Sequence, residues 1–352
     1  MRRNGFAASA ALAILSTIIG AGFASGREVI VFFTRFGAFS WLGIIITAAC
    51  FGGLTYGVMR LADGNGGCTF QELANASLGK YAGAAAGSLY AIIMLITAGA
   101  MAGGMGEIAQ IFLPIYHAKL VGVLAGAAIC GLAATKGIKA LATGATFLLP
   151  VCVLLYIILA RFTPRGTYAP SYPPPSPALF IPHAIGYACM NVTLCCCLLC
   201  EIGKQADSRE RRVIMFIFVP SLLLLLITAN ATLLPRLAML GNEPLPIVKL
   251  AHGIVPAMLL SAAALLLAMA TTLIALIRST AMLIPARQVN GGVSVNPIVV
   301  TLISAVCAML GMVGFNNLIG TAYPIMGCLA AIALIAIIIG GSLKLRPRAA
   351  QP

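Results

Sequence analysis

The stretch Ile19-Gly20-Ala21-Gly22-Phe23-Ala24-Ser25-Gly26-Arg27-Glu28 sits in the middle of a long apolar run from Phe6 to Phe36. As one straight helix that run would extend about 46 Å, against a hydrocarbon core of about 30 Å. Gly20, Gly22 and Gly26 fall at its centre, where helix propensity is therefore poorest. The pattern predicts a broken helix: a first half up to Ile19, an unwound strip, and a second half from about Gly26. Unwound backbone is tolerated in a membrane only where protein or a water-filled cavity satisfies its amides and carbonyls. Such a strip offers carbonyl oxygens to a cation, and the positive start of the second half-helix faces an anionic group such as a carboxylate. The alternative is a glycine-rich packing interface. Arg27 and Glu28 favour a functional strip, because ionisable groups within a span are costly, although the two can also neutralise each other.

Working outward, the whole chain has the same character. Of its 352 residues 61% are hydrophobic and 9% charged, whereas soluble domains carry about 25% charged residues. Lipid is the solvent that fits. The apolar runs are continuous rather than alternating with period two, which argues for helices over a β-barrel. The net charge of +14 comes from basic residues placed singly at the ends of apolar runs, so it reads as membrane topology and not as a nucleic-acid surface. Apart from Cys68 in a polar loop, the cysteines lie inside apolar runs and behave as small hydrophobes. The run Cys195-Cys196-Cys197 with Cys200 cannot wrap one tetrahedral ion from a single helix, since consecutive residues diverge by about 100°. No resident metal or cofactor is expected. The first 25 residues have the look of a signal peptide, but apolar sequence resumes after Gly26, so they read as a retained first helix.

Ten candidate spans follow: Phe6–Phe36, Phe39–Leu61, Ala82–Leu113, Leu120–Thr135, Ala140–Leu159, Leu179–Gly203, Val213–Leu234, Val255–Ile277, Val295–Phe315 and Leu318–Gly341. The proline-rich loop from Arg161 to Ala178 cannot be helical throughout and forms the midpoint. It divides a single transmembrane domain into two sets of five, 1–161 and 179–343. With the N-terminus in the cytoplasm, only Arg27, Arg35, Lys119, Arg161, Arg165, Arg236 and Lys249 of the 22 basic residues fall outside. The reading is a multi-pass protein of the cytoplasmic membrane with both termini inside. Because five is odd, the second set runs opposite to the first, the geometry of an inverted repeat. Pro235–Gly253 is polar enough to lie outside the bilayer, either as a cap over a vestibule or as an ordinary loop. Gly83/Gly87, Gly99/Gly103 and Gly122/Gly126 are spaced for close helix approach.

Further candidates are sparse. The inverted partner of the first helix is the sixth span, where Gly186-Tyr187-Ala188-Cys189-Met190-Asn191 gives a weaker break signal and Tyr187 and Asn191 offer polar groups. His183, after Pro182, reads as interfacial. Thr271 and Thr272 form a hydroxyl pair that suits a sodium site, or bond back to the preceding turn. Glu107 either titrates during proton coupling or sits at the outer interface. Enzymatic chemistry is not indicated: Ser25-Gly26 has Phe23 where a membrane serine protease motif needs glycine, and neither a Gly-x-Ser-x-Gly turn nor a His-Glu-x-x-His motif occurs.

Ile19–Gly26 followed by Glu28 and Phe32-Phe33-Thr34-Arg35-Phe36-Gly37 resembles the first-helix signature of the YkvI-like family of bacterial membrane proteins. Leu95–Gly106 and Gly314–Gly327, with Tyr323-Pro324-Ile325-Met326-Gly327, are similar more loosely. That family is grouped with amino acid permeases of the amino acid–polyamine–organocation superfamily. The resemblance implies a LeuT-like all-α membrane fold of five plus five helices with discontinuous helices 1 and 6. The expected function is cation-coupled symport of small solutes, amino acids or related amines. Gly20, Ala21, Gly22, Phe23, Ala24, Ser25, Gly26, Tyr187 and Asn191 are the expected substrate contacts. Glu28, Glu107, Thr271 and Thr272 are the expected coupling groups for Na+ or H+. The competing expectation is a ligand-sensing membrane subunit that keeps a permease fold and moves nothing. Solute identity, coupling ion, direction and oligomeric state are not written in the sequence.

Overall fold

A computed structural model describes residues 2–65, 69–136, 140–164, 176–283, 288–289, 292–293 and 295–344, with side chains for all of these except 2–4, 21, 65, 136, 140–149, 288–289 and 292–293. Cys68, the side chain of Ala21, most of the loop from Arg161 to Ala178, and the side chains of Arg2, Arg3, Lys136, Lys139, Arg165, Arg287, Arg346 and Arg348 lie outside the described residues.

The first expected span is three helices: α1 (Arg2–Ile18), α2 (Ala21–Ala24) and α3 (Arg27–Phe32). Then come α4 (Phe39–Asn65), the short α5 (Phe70–Leu78), α6 (Lys80–Phe112), α7 (Ala118–Lys136) and α8 (Ala140–Phe162). After the midpoint, α9 (Phe180–Leu194) and α10 (Cys196–Gln205) follow one another, and α11 (Ser208–Leu233) leads to the short α12 (Leu237–Leu240) and α13 (Pro246–Leu250). The chain continues with α14 (Val255–Met282), a two-residue hairpin of β1 (Gln288–Val289) and β2 (Gly292–Val293), α15 (Pro297–Val313), the short α16 (Phe315–Asn317) and α17 (Tyr323–Lys344).

Among the described residues, six helices are long and apolar enough to cross a membrane, or seven if α9 and α10 count as one bent span. Two of the ten expected spans are shorter as apolar helices among the described residues, Gly5–Ile18 and Pro297–Val313. The first is short because it stops at the glycine strip. The last is stopped by Gly314, whose φ of +99° is left-handed and which only glycine adopts without strain.

Helix starts are chemically marked. Thr69 with Glu72 and Asp207 with Glu210 form capping boxes for α5 and α11, each satisfying orphan amides at both ends of the box. Asn296 caps α15 by accepting from Ile298 N.

Close approach through small residues holds the bundle together, as packing in lipid requires. A β-carbon on Gly103 would lie 3.0 Å from Gly311 O and Phe315 N, and one on Gly122 would lie 2.9 Å from Gly106 Cα. Gly83 and Gly87 pack on Asn75 and Gln71 of α5. A backbone-to-backbone junction joins α9 to α17, where a β-carbon on Gly327 would stand 2.9 Å from Gly186 O.

At the end expected to face the cytoplasm, Arg211 of α11 donates to Asp63 Oδ2 at 2.9 Å and to Met59 O at 3.3 Å. Asp63 is about one third exposed while Arg211 is buried, so water screens much of the pair. Asp63→Asn is expected to lower stability by about 1 kcal/mol, read as a small drop in the thermal midpoint of the detergent-solubilised protein. A drop several times larger would mean that this clamp closes that end of the bundle.

Candidate solute site at the interrupted first span

The first span is interrupted twice, not once. α1 ends at Ile18, and Gly20 N turns back onto Ile18 O at 2.8 Å. One helical turn, α2, is closed by Ala24 N donating to Gly20 O at 3.0 Å. Gly26, at φ +83°, then redirects the chain into α3. The expected unwound strip from Ile19 to Gly26 is therefore corrected to two breaks flanking a single turn. Ala21 and Ala24 explain the turn, since alanine is the best helix former.

Several polar groups of the strip already have partners. Ser25 Oγ donates to Gly22 O at 2.8 Å and accepts from Arg27 N at 3.2 Å. Phe23 O accepts from Tyr156 Oη at 2.9 Å and from Gly26 N at 2.9 Å. Ser25 O accepts from Ile247 N at 3.1 Å. The last bond comes from the Pro235–Gly253 segment, whose Pro246, Ile247, Val248 and Leu250 are buried. This segment is a cap seated on the break. Its base is fixed by Arg236, fully buried and donating to Thr232 O, Ala160 O and Thr163 O at 2.7, 3.0 and 2.7 Å. Arg27 reaches the same cap through Gly241 O at 3.0 Å and Asn242 Oδ1 at 3.2 Å, and Asn316 Nδ2 joins at Asn242 Oδ1.

Glu28 points the other way. It is buried, and its carboxyl lies against Gly22: a β-carbon there would overlap Glu28 Oε1. Tyr187, Tyr156 and Tyr323 all face this carboxyl closely enough to interact electrostatically, Tyr187 nearest. The hydroxyls of Tyr187 and Tyr323 are buried and complete no hydrogen bond of good geometry. The Tyr187 ring is held by Phe32, Phe33 and Phe51, with centroids 5.0, 5.3 and 6.1 Å away. Such edge and tilted contacts fix its orientation.

The remaining candidates divide. Tyr187 joins the strip through Glu28, whereas Asn191 is buried one turn on, its Nδ2 donating to Tyr187 O at 2.9 Å. That bond runs along an unbroken α9, so the break expected at Gly186–Asn191 is corrected: the sixth span bends by 67° at Cys195. Gly186 serves the approach of α17 instead. Thr271 and Thr272 are half-buried on α14, which packs against α2, and Thr271 Oγ1 donates to Ala268 O at 3.0 Å. Glu107 pairs with Lys119 at 2.6 Å and lines a separate cavity of about 340 Å³ with Gln110, Glu243, Lys249 and His252. His183 contacts Arg35 and bonds Leu179 O at 2.8 Å near the span end, its ring against Phe36. On α10, Cys196 Sγ and Cys200 Sγ are 4.0 Å apart on one face.

Tyr156, Tyr323 and Ile247 belong to the site and were not singled out by sequence. For the tyrosines the signal was weak: Tyr156 and Tyr323 fall near the ends of their expected spans, where interfacial tyrosine is usual in membranes. The Ile247 amide carries none.

Two comparisons bear on identity. Residues 7–167 match a family model described as spore germination protein, the Spore_permease family. The membrane protein YkvI of Bacillus subtilis, described as uncharacterised, is 23% identical over 210 residues. That match covers 59% of this chain and 60% of YkvI, so it spans less than two thirds of the relative's length. The chain is thus similar to a permease-type family model over residues 7–167 and to YkvI over 210 residues.

Proposed function

We propose that the chain is a secondary active transporter, a cation-coupled symporter of small solutes of the amino-acid or amine class. The solute binds at the break in the first span and is exposed alternately to the two sides. In this reading the ten expected spans form a LeuT-like pair of five-helix repeats, with both termini in the cytoplasm. One observation carries it: the first span is broken midway, and a buried carboxyl is seated on the break. Half-helix ends there present polar backbone at membrane depth, which is how discontinuous helices hold ions and zwitterions. The match to a permease-type family model and the cavity beneath the cap support the same reading.

Purified protein in liposomes is expected to accumulate a labelled amino acid or amine when a sodium or proton gradient is imposed. A thermal-shift screen against amino acids and amines first selects the solute, because a binder stabilises according to its concentration over its dissociation constant. Failure of every stabilising solute to accumulate would remove the transporter reading.

The second reading, a ligand-sensing membrane subunit that moves nothing, is favoured by the description of the matched family as spore germination protein. Saturable binding with no accumulation under either gradient is its signature.

A further inference from the structure

Resting on the transport reading, we propose that the coupling ion is a proton carried by Glu28, whose two protonation states are both solvated by the hydroxyls of Tyr187 and Tyr323. Three structural observations support this. The carboxyl is seated on main chain: Glu28 Oε1 occupies the space beside Gly22 that any side chain would fill. The groups facing it are tyrosine hydroxyls, which donate to a carboxylate and accept from a carboxylic acid by rotating. Tyr187 and Tyr323 are buried at 0% and 1% exposure; the Tyr187 hydroxyl faces Glu28, that of Tyr323 faces Glu28 and Thr97, and the Tyr156 hydroxyl is committed to Phe23 O. Their placement is the third observation. Glu28 lies on α3, Tyr187 on α9 and Tyr323 on α17, so one proton alters the junction of three helices at the break.

The other groups around the carboxyl fit this assignment. On its own element Arg27 extends to Gly241 O and Asn242 Oδ1 of the cap. From α11 come Asn230, bonded to Thr34, and Leu233, which lies against Gly26. From α8 come Tyr156 and Cys152. Thr97 of α6, near Tyr323, donates to Ile93 O.

A sodium ion is served poorly by the same surroundings. Hard cations take about six or more oxygen ligands. Here Gly22 O, Phe23 O and Ser25 O accept from Ser25, Tyr156 and Ile247, and Thr271 bonds Ala268 O. Protonation adds one hydrogen to a carboxylate oxygen, and release returns it to water. No other covalent bond changes; the tyrosine hydroxyls turn from donating to accepting.

The test is difference infrared spectroscopy of the full-length protein in liposomes, between acid and alkaline buffer and without solute. A carboxylic acid carbonyl band that titrates in the wild type and is absent in Glu28→Gln is expected. Tyr187→Phe and Tyr323→Phe are each expected to keep that band and to change its proton affinity about tenfold. Replacing potassium by sodium is expected to leave the titration unchanged. The proposal is overturned if the Glu28→Gln spectrum matches wild type, if neither phenylalanine variant changes the titration, or if sodium displaces the proton. The sodium arm and the tyrosine variants stand even where Glu28→Gln fails to fold. None of these readouts needs solute, so failure of the proton assignment and failure of transport are separately visible.

Discussion

Gly22→Ala is expected to lower gradient-driven accumulation at least about tenfold. The added β-carbon would overlap Glu28 Oε1 and stand 2.5 Å from its Cδ, closer than non-bonded atoms approach, so the side chain must move. Glu28 must leave its seat, and the tyrosines facing it lose their partner. Overpacking of this kind costs about 1–3 kcal/mol, which at about 1.4 kcal/mol per decade is tenfold or more in the population of the competent arrangement. Initial uptake in proteoliposomes is expected to fall at least about tenfold. Gly53→Ala, whose β-carbon meets nothing within 4 Å, is the matched control. Wild-type uptake by Gly22→Ala at wild-type thermal stability would mean that Glu28's position does not matter.

The second large effect is structural. Gly327→Ala places a β-carbon 2.9 Å from Gly186 O and 3.0 Å from Gly186 C. These are backbone atoms and cannot rotate away, so α9 and α17 must separate. The expected loss is about 1–3 kcal/mol of stability, seen as a lower thermal midpoint. Gly57→Ala also faces α17 but meets only the flexible Ile338 side chain, at 3.4 Å, and is expected to leave the midpoint unchanged. The same junction positions Tyr187, next to Gly186, and Tyr323, one turn before Gly327. Gly327→Ala should therefore also weaken binding of any solute found at the break. Equal midpoints for both variants would show that the helices do not touch here.

What the sequence disclosed, and what it withheld, follows from the range of the forces involved. The break in the first span was legible because its causes are local: a run too long for the bilayer with three glycines at its centre. The bend in the sixth span was misplaced for the converse reason. Gly186 looked like a weak point but is needed by Gly327, some 140 residues later, while Cys195 bends a helix with neither glycine nor proline to announce it. Asn191 keeps the α9 backbone regular by bonding back to Tyr187 O. The strip's own partners were equally hidden. Tyr156 Oη and Ile247 N, which hold Phe23 O and Ser25 O, come from distant parts of the chain. Expecting the strip's carbonyls to face cargo overlooked both. Arg27 and Glu28, adjacent in sequence, were read as possible mutual partners; in the fold one reaches outward to the cap and the other inward to the tyrosines.

The most direct test is hydrogen exchange resolved by residue over the first span, with and without the solute that most stabilises the protein. Amides from Ile19 to Gly26 are predicted to exchange faster than those of α1 and α3 on either side, and to slow when that solute is added. Uniform protection from Phe6 to Phe32, unaffected by solute, would contradict both the interruption and its role as the binding place.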